Sequence, residues 1–475
     1  MFFVLLFGLI LFLFKNAFLI NFFADDYFFL KISRVSSLPD FINFFSPIRQ
    51  HSYKPIGTEV YYSLIHLFGD NIFIGHLIAF IIFFVGLYYF HRVVLKTSGN
   101  KLIANITTFL YGINFVHVFQ LYYFGTFQEV AMFSFLAISL SLFLDSKYIK
   151  AALFFVLALL SKESAVLFIA FLPLFLFFFY KDKLPKYKKG LLIFVVIAGI
   201  FALLYQYSLS FVTQLENYKL HLSPRLFINN LMWYMLWSLG LPNYMPDYMT
   251  SIFSPPIKEF WKVFVNYPET KIYFSLLFAY LATFFLTLSI FVIRQKKQLR
   301  IISAITVFCL LSFVLFIGPI GFFLHKWMIR LTLPLVFVSL FQGYILNLFY
   351  KSGGLYKAAS YFLIAVYILL NVYGIKIHES SSTFFLESRI SDHLNSTIQK
   401  NRQKIESKKH IYFRDVKVKD FNPWGQSKHL KTALSDQNFL DLYFPEQKLQ
   451  AVYGFEEKNI PEDSFVIRSL DLLKP

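Results

Sequence analysis

An acidic pair, Asp25-Asp26, sits where the first apolar run of this 475-residue chain ends. The polar stretch it opens continues through Arg49, His51, Tyr53, Lys54 and Pro55 to Glu59. Further on come His117 and Gln120, then Gln128 and Glu129, then Ser161-Lys162-Glu163-Ser164, and last His325, Lys326 and Arg330. A carboxylate pair at a membrane surface can take the proton of a hydroxyl as it attacks an electrophilic carbon. Cations nearby can neutralise a leaving phosphate, lysine as a point charge and arginine as a bidentate fork. Together these groups suit displacement of a lipid phosphate from a sugar. Carboxylate and histidine can also hold a divalent metal, but no spacing here is diagnostic of one, and the need for a cofactor stays open. There is no glycine-rich phosphate loop, no HExxH and no GxSxG.

Each group has a plainer reading when taken alone. Asp25-Asp26 can end a span in water, and Lys162-Glu163 can be an ion-paired turn. His117 can be a satisfied buried histidine, and His325, Lys326 and Arg330 can be interfacial anchors. Their shared placement is what argues for chemistry, and that placement depends on the elements between them.

Those elements are apolar runs. The chain is 57% hydrophobic and 21% aromatic, only 15% charged, with mean hydropathy +0.57. A soluble domain carries roughly 25% charged residues, so a soluble enzyme, a disordered chain, a collagen-like fibre and a disulfide scaffold are all excluded. Eleven apolar segments predict an all-α polytopic membrane protein: about 2–22, 72–91, 102–116, 126–144, 150–161, 164–180, 190–209, 272–293, 301–319, 331–350 and 356–376. Residues 1–22 lack a basic start and a small-residue cleavage site, and read as a retained span with Lys15 awkwardly inside it. The stretch 226–241 reads as interfacial or re-entrant; as a span it would reverse everything after it. The single cysteine, Cys309, excludes a disulfide or a cysteine metal site within one chain.

The net charge of +18 then becomes a sidedness marker. Residues 1–377 carry 30 Lys+Arg against 13 Asp+Glu, and 378–475 carry 15 against 14. That concentration between spans argues against a nucleic-acid partner. One alternate set of loops (91–101, 146–150, 181–189, 294–300, 351–357) holds 16 basic residues in 39. The other (23–70, 116–126, 161–163, 210–271, 319–330) holds 12 in 136. Short basic loops stay in the cytoplasm, so the amino terminus is expected inside and the second set outside. All the chemistry-bearing residues above fall on or beside that outer set. Residues 378–475 read as a small extracytoplasmic α/β module, with strands at 410–413 and 464–467 and helices at 380–405 and 430–442.

Four landmarks resemble the GT-C-fold membrane glycosyltransferases that use polyprenyl- or dolichyl-phosphate sugars, especially the tetratricopeptide-linked O-mannosyltransferase-like group. They are Asp25-Asp26 after a short first span; Tyr53-Lys54-Pro55 with Leu67-Phe68-Gly69 and His76; Phe115-Val116-His117 with Gly125 and Gln128 or Glu129; and Leu159-Leu160-Ser161-Lys162-Glu163 with Pro173. The likeness covers roughly the first 185 residues. It implies a GT-C-like domain over 1–377 with a catalytic first outer loop, 23–70, in the plasma membrane of a bacterium. It implies a base at Asp25 or Asp26, with Asp26 taken first, and substrate contacts from Lys54, His117, Glu129, Lys162 and Glu163; the outer placement of His325, Lys326 and Arg330 adds them as candidate donor-phosphate contacts. The partners implied are a polyprenyl-phosphate-sugar donor, membrane lipids and a glycan, lipid or protein acceptor.

This chain departs from that pattern in three places. The family's arginine is Lys54, a second family arginine is Thr126, and no repeat with a 34-residue period follows. The last difference turns the expectation towards a cell-envelope glycan or lipid acceptor. Two other classes fit an outer polar face: a lipid-linked sugar transporter or flippase, and a polysaccharide polymerase or ligase. A transporter favours broken polar helices near the midplane in two related halves, and no repeat is visible. A polymerase centres on a large late outer loop, and 210–271 is long but carries few paired charges, among them Glu216, Lys219, Arg225, Asp247 and Glu259.

Overall fold

The computed structural model describes residues 1–49, 51–212, 219–249, 251–416 and 425–473. Glu216 lies outside the described residues. The chain is helical nearly throughout. The bundle is built from α1 (Phe2–Leu13), α2 (Asp25–Ile32), α3 (Ile72–Ser98), α4 (Lys101–Gly112), α5 (Phe127–Leu144), α6 (Tyr148–Ser161) and α7 (Phe168–Phe179). It continues with α8 (Leu184–Val212), α9 (Pro224–Ser238), α10 (Pro268–Arg294), α11 (Leu299–Ile317), α12 (Pro334–Ser352) and α13 (Gly354–Ser381).

Six of these, α3, α5, α8, α10, α11 and α13, are long and apolar enough to cross a membrane. A seventh arises if α4 and the following 115–121 segment, bent by 45°, count as one. Expected spans thus meet the length test in part. α1, α6 and the 163–179 segment are apolar but short. At 1.5 Å per residue, 12 residues of α1 rise only ~18 Å of the ~30 Å hydrocarbon core. α1 stops at Phe14 and a 3₁₀ turn, Lys15–Leu19, takes over. The awkward Lys15 therefore lies beyond the α-helix and exposed, while its neighbour Asn16 donates to Glu379 at 3.0 Å. The outward faces of α8 and α10 carry Leu192, Val196, Ile200, Phe278 and Leu286, all exposed, as helices in contact with acyl chains would.

Helix contacts sort the bundle into two ends. At one end Lys96 pairs with Asp145 at 2.8 Å, Tyr180 donates to the Lys96 carbonyl, Tyr148 donates to the Lys186 carbonyl, and Asn100 meets Asn347. These are the basic loops. The opposite end gathers 20–27, 121–129, 161–163, 319–331 and 378–387. The stretch 226–241 belongs wholly to that opposite end. Near its start, Asn230 of α9 donates to the Gly321 and Phe323 carbonyls; at its end Gly240 accepts from Tyr273, and just beyond it Asn243 N donates to His378. Both ends of α9 touch the same side of the bundle, so it lies across the face and the alternation of later helices is kept.

After α13 come α14 (Phe384–Glu406), β1 (His410–Arg414), α15 (Ser427–Ala433), α16 (Asn438–Tyr443), β2 (Gln450–Tyr453), β3 (Ser464–Arg468) and α17 (Ser469–Leu473). The strands form a parallel sheet in the order β2-β1-β3. The strand at 450–453 was not expected. The single helix expected over 430–442 is two, because Ser435 and Asp436 take left-handed backbone, φ 54° and 57°. This unit shares a core with α2: Tyr27, Leu30, Tyr61 and Tyr62 pack into one cluster with Leu394, Leu430 and Phe439. The Ala24 amide donates to the Ala433 carbonyl at 2.7 Å, and Lys31 pairs with Asp441.

Candidate active site at the less basic end

Asp25 and Asp26 open α2, where the dipole of the first turn favours carboxylates. Consecutive residues on a helix point about 100° apart, so the two face different surroundings. Asp26 is fully buried. One carboxylate oxygen accepts from the Phe23 amide at 3.0 Å and the other from the Tyr62 hydroxyl. Burial pushes its carboxyl well above the usual carboxylate range, with those hydrogen bonds pulling the other way. Asp25 is exposed to water-sized contact yet densely surrounded by protein, as a group lining a deep recess is. Its carboxyl is also raised by that crowding, while the Lys54 ammonium and the Tyr123 hydroxyl favour the charged form.

Beside Asp25 stands a quartet of alternating charges. Lys54 Nζ lies 3.5 Å from Glu163, and Lys162 Nζ lies 3.4 Å from Glu129 and 3.1 Å from the Gln128 amide oxygen. Three local devices assemble it. Lys162 is a single extended residue, φ −156° and ψ 130°, between α6 and a 3₁₀ turn, Glu163–Leu167. Glu129 sits in the first turn of α5. A π-helical turn, Ile56–Val60, follows Lys54, and Gly57 inside it presses against the neighbouring backbone. A Cβ on Gly57 would meet the Ser161 carbonyl at 2.4 Å and Gln128 Cβ at 2.7 Å. Only glycine lets the loop approach this closely. Burial lowers the Lys54 ammonium to about 8, against the support of Glu163. Behind the quartet, Glu59 is 2% exposed and clamped by Arg49, by Thr58 and by His51 at 3.1 Å, which fixes the loop.

The remaining expected residues are placed differently. His117 is fully buried: its Nε2 bonds the Tyr111 carbonyl at 2.7 Å, among the rings of Phe83 and Tyr111. It supports the bundle and does not reach Asp25. Arg330 lies over the Phe323 ring and donates to the His325 carbonyl. Burial raises the Tyr234 hydroxyl above its ordinary value, and the Arg330 guanidinium pulls the other way. His325 is exposed and Lys326 half-buried on the same loop, at the rim. Among the described residues, no three His, Cys, Asp or Glu gather as a metal site.

Two groups not singled out from the sequence complete the recess. Glu387, in the first turn of α14, is 8% exposed; burial raises its carboxyl to about 7, opposed by Thr383 and assisted by the Asp25 charge. His429 Nε2 lies 3.7 Å from Glu387 and is buried with no hydrogen-bond partner. Phe384 packs on Phe23 and Tyr123, forming the wall between Glu387 and Asp25. No local signal marks Glu387 or His429, because only the folded tail brings them to Asp25. Deeper in the bundle, Phe90, Phe133, Phe171, Phe316, Phe337 and Leu340 line an almost wholly apolar cavity of about 80 Å³. The chain matches no protein-family model and no curated protein sequence.

Proposed function

We propose that this chain is a polytopic GT-C-like membrane glycosyltransferase of about eleven spans. It moves a sugar from a polyprenyl-phosphate donor to the hydroxyl of a glycan, lipid or protein acceptor. The observation that carries the reading is Asp25: an accessible carboxylate in a recess, next to Lys54 and the quartet, at the end of the bundle away from the basic loops. By the charge rule for short loops that end is extracytoplasmic.

Asp25 takes the acceptor hydroxyl proton as its oxygen attacks the anomeric carbon. The bond from that carbon to the phosphate oxygen breaks, and the phosphate leaves with the electron pair. Lys54, Lys162 and Arg330 stabilise the charge it gains. Asp26 holds α2 against Tyr62 and Phe23 so that Asp25 faces the recess.

The test supplies a lipid-linked sugar to the purified full chain. Asp25→Asn is expected to lose about 10²-fold or more in transfer with its thermal stability kept. Asp26→Asn is expected to lose stability first, because it breaks a fully buried hydrogen-bond set. Full activity in both single variants and the double would remove Asp25 from the role of base.

A further inference from the structure

A second recess lies on the other side of α2. It is a cleft of about 440 Å³ between α2, the start of α3 and the tail, bordered by Asn21, Arg34, Asp70, Asn71, Asn395 and Tyr443. That volume falls in the usual range of small-ligand sites, roughly 300–1,000 Å³. Its chemistry is mixed: three side-chain amides, one guanidinium and one carboxylate stand among three aromatic rings, Phe22, Tyr27 and Tyr443, and three aliphatic side chains. Asp70 is engaged by His66 and Arg34 is the one cation among the described lining residues, so no cluster of like charge favours a polyphosphate or a metal cation. An acyl chain would leave the guanidinium and the amides of the lining without partners. Asn21 is taken up by Asp392 and the Phe22 amide, but the Asn71 and Asn395 amides and the Arg34 guanidinium offer donors and acceptors side by side, which matches adjacent hydroxyls that each donate and accept. An aromatic ring offers a flat apolar face to ring C–H groups.

The cleft also holds bonding capacity that the protein leaves unused. Asn395 Oδ1 is buried without a hydrogen-bond partner, and buried polar atoms rarely stay so. Asn71 spends its oxygen on the Phe73 and Ile74 amides at the start of α3, which leaves its NH₂ as donor. Arg34 donates one N–H to the Leu442 carbonyl at 3.2 Å, which steadies the guanidinium against the tail. Asp70 is set by left-handed backbone, φ 59°, after Gly69.

We infer that this cleft binds an uncharged carbohydrate of one to a few sugar rings, as a recognition site for the acceptor glycan. The acceptor role rests on the transferase reading; binding itself does not. Tyr27 and Leu30 of α2 line the cleft, while Asp25 on the same helix faces the other recess, so a ligand here is one helix away from the proposed base.

The experiment is saturation-transfer NMR on the full chain in lipid nanodiscs. The probes are neutral di- to tetrasaccharides of glucose, galactose, mannose and N-acetylglucosamine. At least one is expected to bind, and Asn395→Leu and Arg34→Ala are each expected to weaken it about tenfold, the worth of one or two hydrogen bonds. Asp25→Asn is expected to leave binding unchanged. Should the leucine variant misfold, Asn395→Asp keeps the shape and is expected to weaken binding by altering the donor set. No binding by any probe at about 10 mM, where even a weak site of millimolar Kd fills, overturns the proposal. So does binding that is unchanged in the cleft variants. Glycan binding without any transfer overturns the transferase reading and leaves the cleft standing.

Discussion

Asp25 and Asp26 share a helix turn and have opposite surroundings: one locked by Tyr62 and Phe23, the other open to a recess. The sequence could offer both as the base, since adjacent residues carry the same local signal. Only the tertiary environment separates them. Lys54, Glu129, Lys162 and Glu163 were legible because they sit at the ends of apolar runs on one expected side. Glu387 was not, because what makes it unusual is burial against Asp25 by a distant fold. Its titration gives an activity-independent prediction. The carboxyl has its ordinary value near 4.5 when unfolded and about 7 when folded. Between those values the folded chain binds a proton that the unfolded chain has released. Stability from this group is therefore present below about 4.5 and falls as pH rises through 7. Glu387→Gln is expected to match the parent near pH 4.5 and to exceed it at pH 8 by on the order of 3 kcal/mol. Thermal unfolding from pH 5 to 8 reads this directly, and a difference that stays constant with pH would refute it.

Helix boundaries were the least legible elements. Apolar periodicity shows that a segment is buried or lipid-facing, but not where its hydrogen-bond ladder stops. α1 gives way to a 3₁₀ turn at Lys15, and α6 yields to one extended residue at Lys162. Both breaks lie at the end that carries the candidate site. The π-helical turn with Gly57 is the third break, and its effect is testable. Gly57→Ala places a methyl against the Ser161 carbonyl and Gln128, neither of which can swing away. A stability loss of about 1–3 kcal/mol is expected from overpacking, together with loss of transfer as Lys54 is driven from Glu163. Gly199→Ala, with nothing within 4 Å of its new Cβ, is expected to be neutral or stabilising by up to ~1 kcal/mol. Equal effects of the two changes, measured by thermal shift, would mean that Gly57 does not set the approach of the loop.

For the whole molecule, the loop charges and the helix contacts divide the chain at the same places. All the basic loops meet at one end, and α9 stays at the other, a point the sequence left open. Cys309 is buried and is the chain's one cysteine, so single-cysteine labelling needs only Cys309→Ser as background. Lys458→Cys in the tail is expected to react with an impermeant maleimide on intact cells. Lys183→Cys is expected to react only after permeabilisation; both positions are exposed. The reverse pattern would invert the proposed sidedness. The shared core of α2 and the tail has one more consequence, for biogenesis. Tyr27, Leu30, Tyr61 and Tyr62 emerge early in synthesis, whereas Leu394, Leu430 and Phe439, which cover them, emerge late. Until the tail has docked, those side chains stay uncovered and the recess lacks Glu387. Folding is thereby tied to completed synthesis, and a ribosome stalled anywhere before the tail leaves an open chain for quality control to remove.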